Sequence, residues 1–146
     1  MLFRSYEEFG LKGKIPVVDT APGITDIAVL PSAGTAAEGM HATQAYVHTI
    51  KTPANQKFVQ AFRAKTGRDP GGPGEYTYSA LAAIHQALQA TQGNIEAKAK
   101  FLEALRRMDL EAPRGRIRFD RYQHVIQDVI ITRIDKVGDQ IGRAHV

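Results

Sequence analysis

The side chains able to do chemistry are few and scattered. The five histidines, His41, His48, His85, His124 and His145, form no H-x-x-x-H or H-E-x-x-H pair, and no cysteine completes a thiolate set. That spacing argues against a metal centre, and no cofactor is implied. His85 falls among the apolar positions of a helical pattern, where a packed structural histidine is the expected reading. No G-x-S-x-G elbow presents a serine nucleophile, so an enzyme is not expected. Gly71-Gly-Pro-Gly74 has the glycines of a phosphate loop but lacks the lysine and the Ser/Thr that should follow. Its proline also removes an amide that would cradle phosphate. It reads as a plain turn before a helix. Arg114-Gly-Arg-Ile-Arg-Phe119 loosely matches the basic-aromatic strand of an RNA-recognition module, yet no second aromatic strand accompanies it. Arginine alternating with Ile117 and Phe119 describes a strand with one solvated face. The acids that remain are Asp19 and, further on, Asp26. Open α/β sheets bind ligands beyond the carboxyl ends of their strands, which makes Asp19 a candidate contact. On pattern alone, a solvated loop acid is the plainer explanation.

The elements that would position these residues are legible in outline. Tyr6-Glu-Glu-Phe-Gly10 reads as a helix tail stopped by glycine, and Leu11–Lys14 as a turn. Ile15–Val18 predicts a buried strand of a parallel sheet, with Asp19–Gly23 the loop at its carboxyl end. Thr25–Leu30 is weakly patterned and reads as a short helix, broken by Pro31 and Gly34. Met40–His48 predicts a second strand or crossing segment. Thr52-Pro53 starts a helix that carries Phe58, Val59 and Phe62 and stops at Gly67. A further helix is expected from about Tyr76 to Thr91, with Leu81, Ile84 and Leu88 as its apolar face and Ala80, Ala83 and Ala87 allowing close approach to a sheet. Gly93 ends it. Asn94 then caps a third helix bearing Phe101, Leu102, Leu105 and Met108. Strands at Ile117–Phe119 and within Ile126–Ile134 close a mixed α/β chain.

The chain has 146 residues, 43% hydrophobic and 23% charged. That is one ordinary domain in size, large enough to bury a core. A collagen-like, disulfide-scaffolded or wholly disordered chain is excluded. No apolar run approaches the roughly 18 residues of a membrane span. The formal charge of +4 would raise nucleic acid as a partner, but both ends qualify it. Ile141-Gly-Arg-Ala-His-Val146 resembles the translation of a common short-read sequencing adapter, ATC-GGA-AGA-GCA-CAC-GTC. Met1-Leu-Phe-Arg-Ser5 resembles its reverse complement read from a GTG start. Residues 1–5 and 141–146 are therefore expected to be artefact and are set aside. Without Arg4 and Arg143 the 19 basic residues become 17 against 15 acidic ones, a net +2. Nucleic acid is then not an expected partner. The body, residues 6–140, is expected to be an internal piece of a longer gene, so its missing signal peptide is uninformative about compartment.

Several stretches of that body, in order and spacing, resemble the carboxyl-terminal half of a type I periplasmic solute-binding protein. The family is that of the branched-chain amino-acid ABC transporters, the leucine-binding-protein-like receptors. The stretches are Gly10-Leu-Lys-Gly-Lys-Ile-Pro-Val17, Ala33-Gly-Thr-Ala-Ala-Glu-Gly-Met40, Thr52-Pro-Ala-Asn-Gln56 and Phe58–Pro70. Tyr78-Ser-Ala80, Pro113-Arg-Gly-Arg-Ile-Arg-Phe-Asp120 and Ile126-Gln-Asp-Val-Ile-Ile-Thr-Arg133 continue the pattern.

The resemblance implies an α/β chain holding a partial type I periplasmic-binding-protein fold, pieces of two Rossmann-like lobes that close on a ligand. Residues 6–44 and 128–140 would belong to one lobe and 52–125 to the other. Residues 45–51 and 126–128 would be the hinge crossings. The implied function is the ligand-binding component of an ABC importer for amino acids or related small molecules, here without its amino-terminal half. The same lobes also serve as sensor domains of receptors and transcriptional regulators. The implied ligand is an amino acid or an aromatic or other organic acid, and the implied partner is an ABC permease. Membrane contact would come only through that permease. The implied location is periplasmic, or extracellular and lipid-anchored. The implied ligand contacts are Asp19, Thr20, Pro22 and Gly23 after the first strand, and Tyr76 or Tyr78 shortly after Asp69-Pro70, with Tyr76 favoured because Tyr78 matches a packed helix position. Pro22 stands where the family carries its ammonium-binding carboxylate, a departure that leaves aromatic acids and other small polar ligands open.

Overall fold

The computed structural model of the chain describes residues 2–20, 23, 25–137 and 140–145. It divides into two compact units, residues 1–45 with 129–146, and residues 46–128.

The first unit is built on a four-stranded sheet. Its elements are α1 (Leu2–Glu8), β1 (Val18–Asp19), α2 (Leu30–Ala33), a 3-10 turn (Gly34–Ala37), β2 (His41–Gln44), β6 (Ile130–Val137) and β7 (Gln140–His145). The strand order is β1-β2-β6-β7, with β1 parallel to β2 and the other pairs antiparallel. The parallel pairing is as the sequence predicts, but the predicted strand Ile15–Val18 shrinks to Val18–Asp19. Pro16 brings no amide to a ladder, and Ile15 and Val18 are exposed. Val17 is the residue of that run that packs on the core of Leu30, Ala36, Ala37, Met40 and Ile134. Strand β7 pairs with β6 although residues 141–146 were set aside on sequence.

The second unit holds α3 (Pro53–Thr66), α4 (Gly72–Ala90), α5 (Lys98–Arg106) and an antiparallel sheet of β3 (Asp109–Ala112), β4 (Gly115–Phe119) and β5 (Val125–Ile126). Helix α3 follows its local signals. Thr52 Oγ1 accepts the Asn55 amide at 3.2 Å, Pro53 opens the helix, and Gly67 closes it at φ 70°. A residue with a Cβ is disfavoured at that angle. Phe58 and Val59 are buried with Tyr46, and Tyr46 meets Phe58 edge to face at 6.1 Å. Each such burial contributes about 1.5–3 kcal/mol.

Helix α4 departs from expectation twice. It begins at Gly72, so Gly71-Gly-Pro-Gly74 is its first turn and not a preceding loop; proline is tolerated there because no helical partner awaits its amide. Its buried stripe is Glu75, Ser79, Ala83 and Ala87. Ala83 packs with Met108, Ala112 and Ile117. Leu81 and Ile84, predicted to face the core, are 60% and 42% exposed, and His85 is exposed rather than packed. Small residues admit the β3–β4 hairpin closely, and the larger apolar stripe is left on the other face.

The third helix starts later than Asn94. The Asn94 side chain accepts the Glu96 and Ala97 amides in a turn, and α5 begins at Lys98. Strands β3 and β5 were not predicted. In β4 the arginine alternation behaves as expected: Ile117 is buried, Arg116 and Arg118 are exposed, and Arg116 is paired with Asp109 across the hairpin. No described helix is long and apolar enough to cross a membrane.

Candidate ligand-contact residues

In the first unit the candidate residues gather at the carboxyl end of β1. Asp19 is the last residue of that strand, 7% exposed, and its Oδ2 accepts the Thr25 hydroxyl at 2.8 Å. Thr25 Oγ1 in turn accepts Gln44 Nε2 at 2.7 Å, from the end of β2. All three side chains are buried. A chain of amide, hydroxyl and carboxylate fixes the aspartate rotamer and satisfies groups whose burial would otherwise be costly. Asp19 is therefore not the solvated loop acid that pattern favours. Thr20 and Gly23 are exposed beside it, and Pro22 lies outside the described residues. Asp26 is also buried and accepts the Ala28 amide at 3.0 Å. Sequence reasoning missed Thr25 and Gln44, which have no spacing rule linking them to Asp19.

Tyr76 lies in the second unit, in the first turns of α4, half-buried against the cluster of Tyr46, Phe58 and Val59. Helical side chains lean back over the preceding turn, and the phenol lies over Gly72. A Cβ there would stand 3.1–3.2 Å from the ring. Arg114 reaches the same ring from the tip of the β3–β4 hairpin, where Ala112 pairs with Gly115 and leaves Pro113-Arg114 as a two-residue turn. Its guanidinium carbon is 5.1 Å from the Tyr76 ring centroid, and its Nη1 donates to Glu75 Oε2 at 2.7 Å. Glu75 is fully buried, and Ser79 donates to its other oxygen. The pairing of Glu75 with Arg114 went unrecognised on sequence. A carboxylate in a stripe of small buried residues was the available signal.

Beside this cluster Asp69 accepts from Arg63, with His48 Nε2 3.8 Å away. The Arg63 hydrogen bond, then the His48 and Arg63 charges, hold the Asp69 carboxyl below its ordinary value, against the opposing effect of burial. Its folded pKa is lowered, so the stabilisation is present above the ordinary value of about 3.9 and fades as pH falls through the folded value. Asp69→Asn is expected to lower Tm slightly at pH 7, since Arg63 is more than half exposed. The difference from the parent should be smaller at about pH 3, below the ordinary carboxyl value, than at pH 7. Thermal melts at both pH values check it; an equal difference at both would locate the effect elsewhere.

A cleft of about 500 Å³ is lined by His48, Lys51, Asn55, Gln56, Val59 and Arg63. Another of about 370 Å³ is lined by residues including Tyr6, Lys12, Ile15 and His41. Neither is lined by Asp19, Thr20, Gly23 or Tyr76. Each is an open groove, the larger on the second unit and the smaller on the first. Among the described residues, no group of three or more His, Asp or Glu is placed to hold a metal ion.

The family model for periplasmic binding proteins matches residues 1–139. An ABC transporter substrate-binding protein from Sphaerobacter thermophilus is 32% identical with a TM-score of 0.91, over 99% of this chain and 40% of that one. A solute-binding protein of an ABC transporter from Rhodopseudomonas palustris, solved with 3,4-dihydroxybenzoic acid, is 25% identical with a TM-score of 0.81, over 98% of this chain and 41% of that one. A leucine-binding protein from Thermotoga maritima is 20% identical with a TM-score of 0.79, over 98% and 39%. Among curated protein sequences nothing matches significantly. The chain thus spans about 40% of the length of the solved structures it resembles. It belongs to the periplasmic binding protein family and carries part of the type I fold of ABC-transporter substrate-binding proteins.

Proposed function

We propose that the chain contributes to the ligand-binding component of an ABC importer for amino acids or related small organic acids, a binding protein and not an enzyme. The observation that carries this is the likeness to the Sphaerobacter protein over nearly the whole chain. The ligands named for the Rhodopseudomonas and Thermotoga proteins, an aromatic acid and leucine, set the range of cargo considered. In this reading residues 6–44 and 128–140 are part of one lobe and 52–125 part of the other. Residues 45–51 and 126–128 cross between them. The division of the chain after Ala45 and after Asp128 supports it.

Asp19, Thr20, Pro22 and Gly23 form one set of ligand contacts and Tyr76 the other. The fixed Asp19 carboxylate suits a ligand hydroxyl or amine. The partner is an ABC permease, and the setting is the periplasm or a lipid anchor outside the membrane.

A chain with about 40% of its relatives' length holds a subset of such contacts. Calorimetry of this chain with leucine, benzoate and 4-hydroxybenzoate is expected to give dissociation constants of about millimolar or weaker. Micromolar binding by the chain alone would overturn the assignment of shared contacts.

A further inference from the structure

The polar chain beneath Tyr76 asks for an explanation beyond packing. Ser79 donates to Glu75, Glu75 takes Arg114 Nη1 at 2.7 Å, and the guanidinium lies over the Tyr76 ring. The Arg114 side chain is 10% exposed, and its Nε is buried and makes no hydrogen bond among the described residues. An apolar pair of similar volume would stabilise the site as well or better. Both Glu75 oxygens are committed, to Ser79 and to Arg114. The end of the ion pair that meets the ring is therefore the positive one.

We propose that Arg114 makes Tyr76 a charge-selective contact, favouring a planar organic anion over an ammonium-bearing ligand. This rests on the reading of Tyr76 as ligand-facing. The face of an aromatic ring attracts cations through its negative potential. Over Tyr76 that potential is already spent on a guanidinium, so a second cation at the ring meets repulsion. An anion at the same ring meets a face whose negative potential the guanidinium offsets. Arg114 is a specificity residue acting through Tyr76, and Glu75 is the residue that positions it.

The test is an NMR titration of this chain with benzoate and with benzylammonium, probes of matched shape and opposite charge. The Tyr76 ring signals are assigned with Tyr76→Phe. Benzoate should move those signals with a dissociation constant about tenfold lower than that of benzylammonium. In Arg114→Met/Glu75→Gln, which removes the ion pair without stranding a charge, the ratio should fall below about twofold. Equal affinities in the parent, or a preference undiminished in the double variant, would overturn the proposal and leave Tyr76 a ligand contact. Should neither probe move the Tyr76 signals, the reading of Tyr76 fails and the proposal with it. If the double variant does not fold, benzamide, a neutral probe of the same shape, is titrated against the parent and should bind more weakly than benzoate and more tightly than benzylammonium; benzamide binding as tightly as benzoate would overturn the proposal.

Discussion

Arg114→Met is expected to destabilise the second unit by about 3–5 kcal/mol, the largest effect of any single substitution considered. The reason lies with the partner left behind. Glu75 has no exposed surface, and without Arg114 only the Ser79 hydroxyl among the bonds described still serves its carboxylate. A domain of this size has about 5–15 kcal/mol in hand, so the variant should sit close to unfolding at room temperature. Arg114→Met/Glu75→Gln should recover most of the loss, because neither polar group is then stranded as a charge. Urea melts of the parent, both single variants and the double variant close the thermodynamic cycle. A single variant as stable as the double would mean that Glu75 is hydrated and the ion pair is superficial.

Asn55→Ala is expected to cost about 2–4 kcal/mol through three hydrogen bonds around one buried amide. Asn55 is 1% exposed. Its Oδ1 accepts the Tyr46 hydroxyl at 2.9 Å, and its Nδ2 donates to the carbonyls of His48 and Ile50 at 2.9 and 2.8 Å. One side chain on α3 thereby fixes the whole segment 46–50, which in the proposed reading is a crossing between lobes. Asn55→Asp keeps the Tyr46 acceptor but turns a carboxylate oxygen toward two carbonyls. It should cost at least as much as the alanine. Thermal melts measure the loss, and amide exchange should quicken first at residues 46–50. A loss under about 0.5 kcal/mol for both variants would show that the segment is held otherwise.

What was legible in the sequence was what local chemistry decides. Helix α3 needed only the threonine and proline at its start and the glycine at its end, all within one turn of the boundaries they set. Helix α4 shows where that stops. It carries a small-residue stripe and a large apolar stripe, and nothing within the helix says which one is buried. The answer comes from β3 and β4, about thirty residues later, whose Ala112 and Ile117 pack on Ala83. Strand β3, with two acids in four residues, looks like a helix tail and becomes a strand by pairing with β4.

The candidate site divides in the same way. The strand-then-loop pattern singles out Asp19 but gives no sign that Thr25 and Gln44 complete its network, since those residues meet it only through the folding of β1 beside β2. Glu75 and Arg114 are 39 residues apart and are joined by tertiary packing alone.

The central claim is that these residues are part of a small-molecule receptor. Its most direct test is to replace the matching 40% of the Sphaerobacter protein with residues 6–140 of this chain and measure ligand binding by the purified, monodisperse chimera. The account predicts micromolar or tighter binding of an amino acid or small organic acid, weakened at least about tenfold by Tyr76→Ala. A folded chimera that bound no member of a broad panel of such ligands would contradict it.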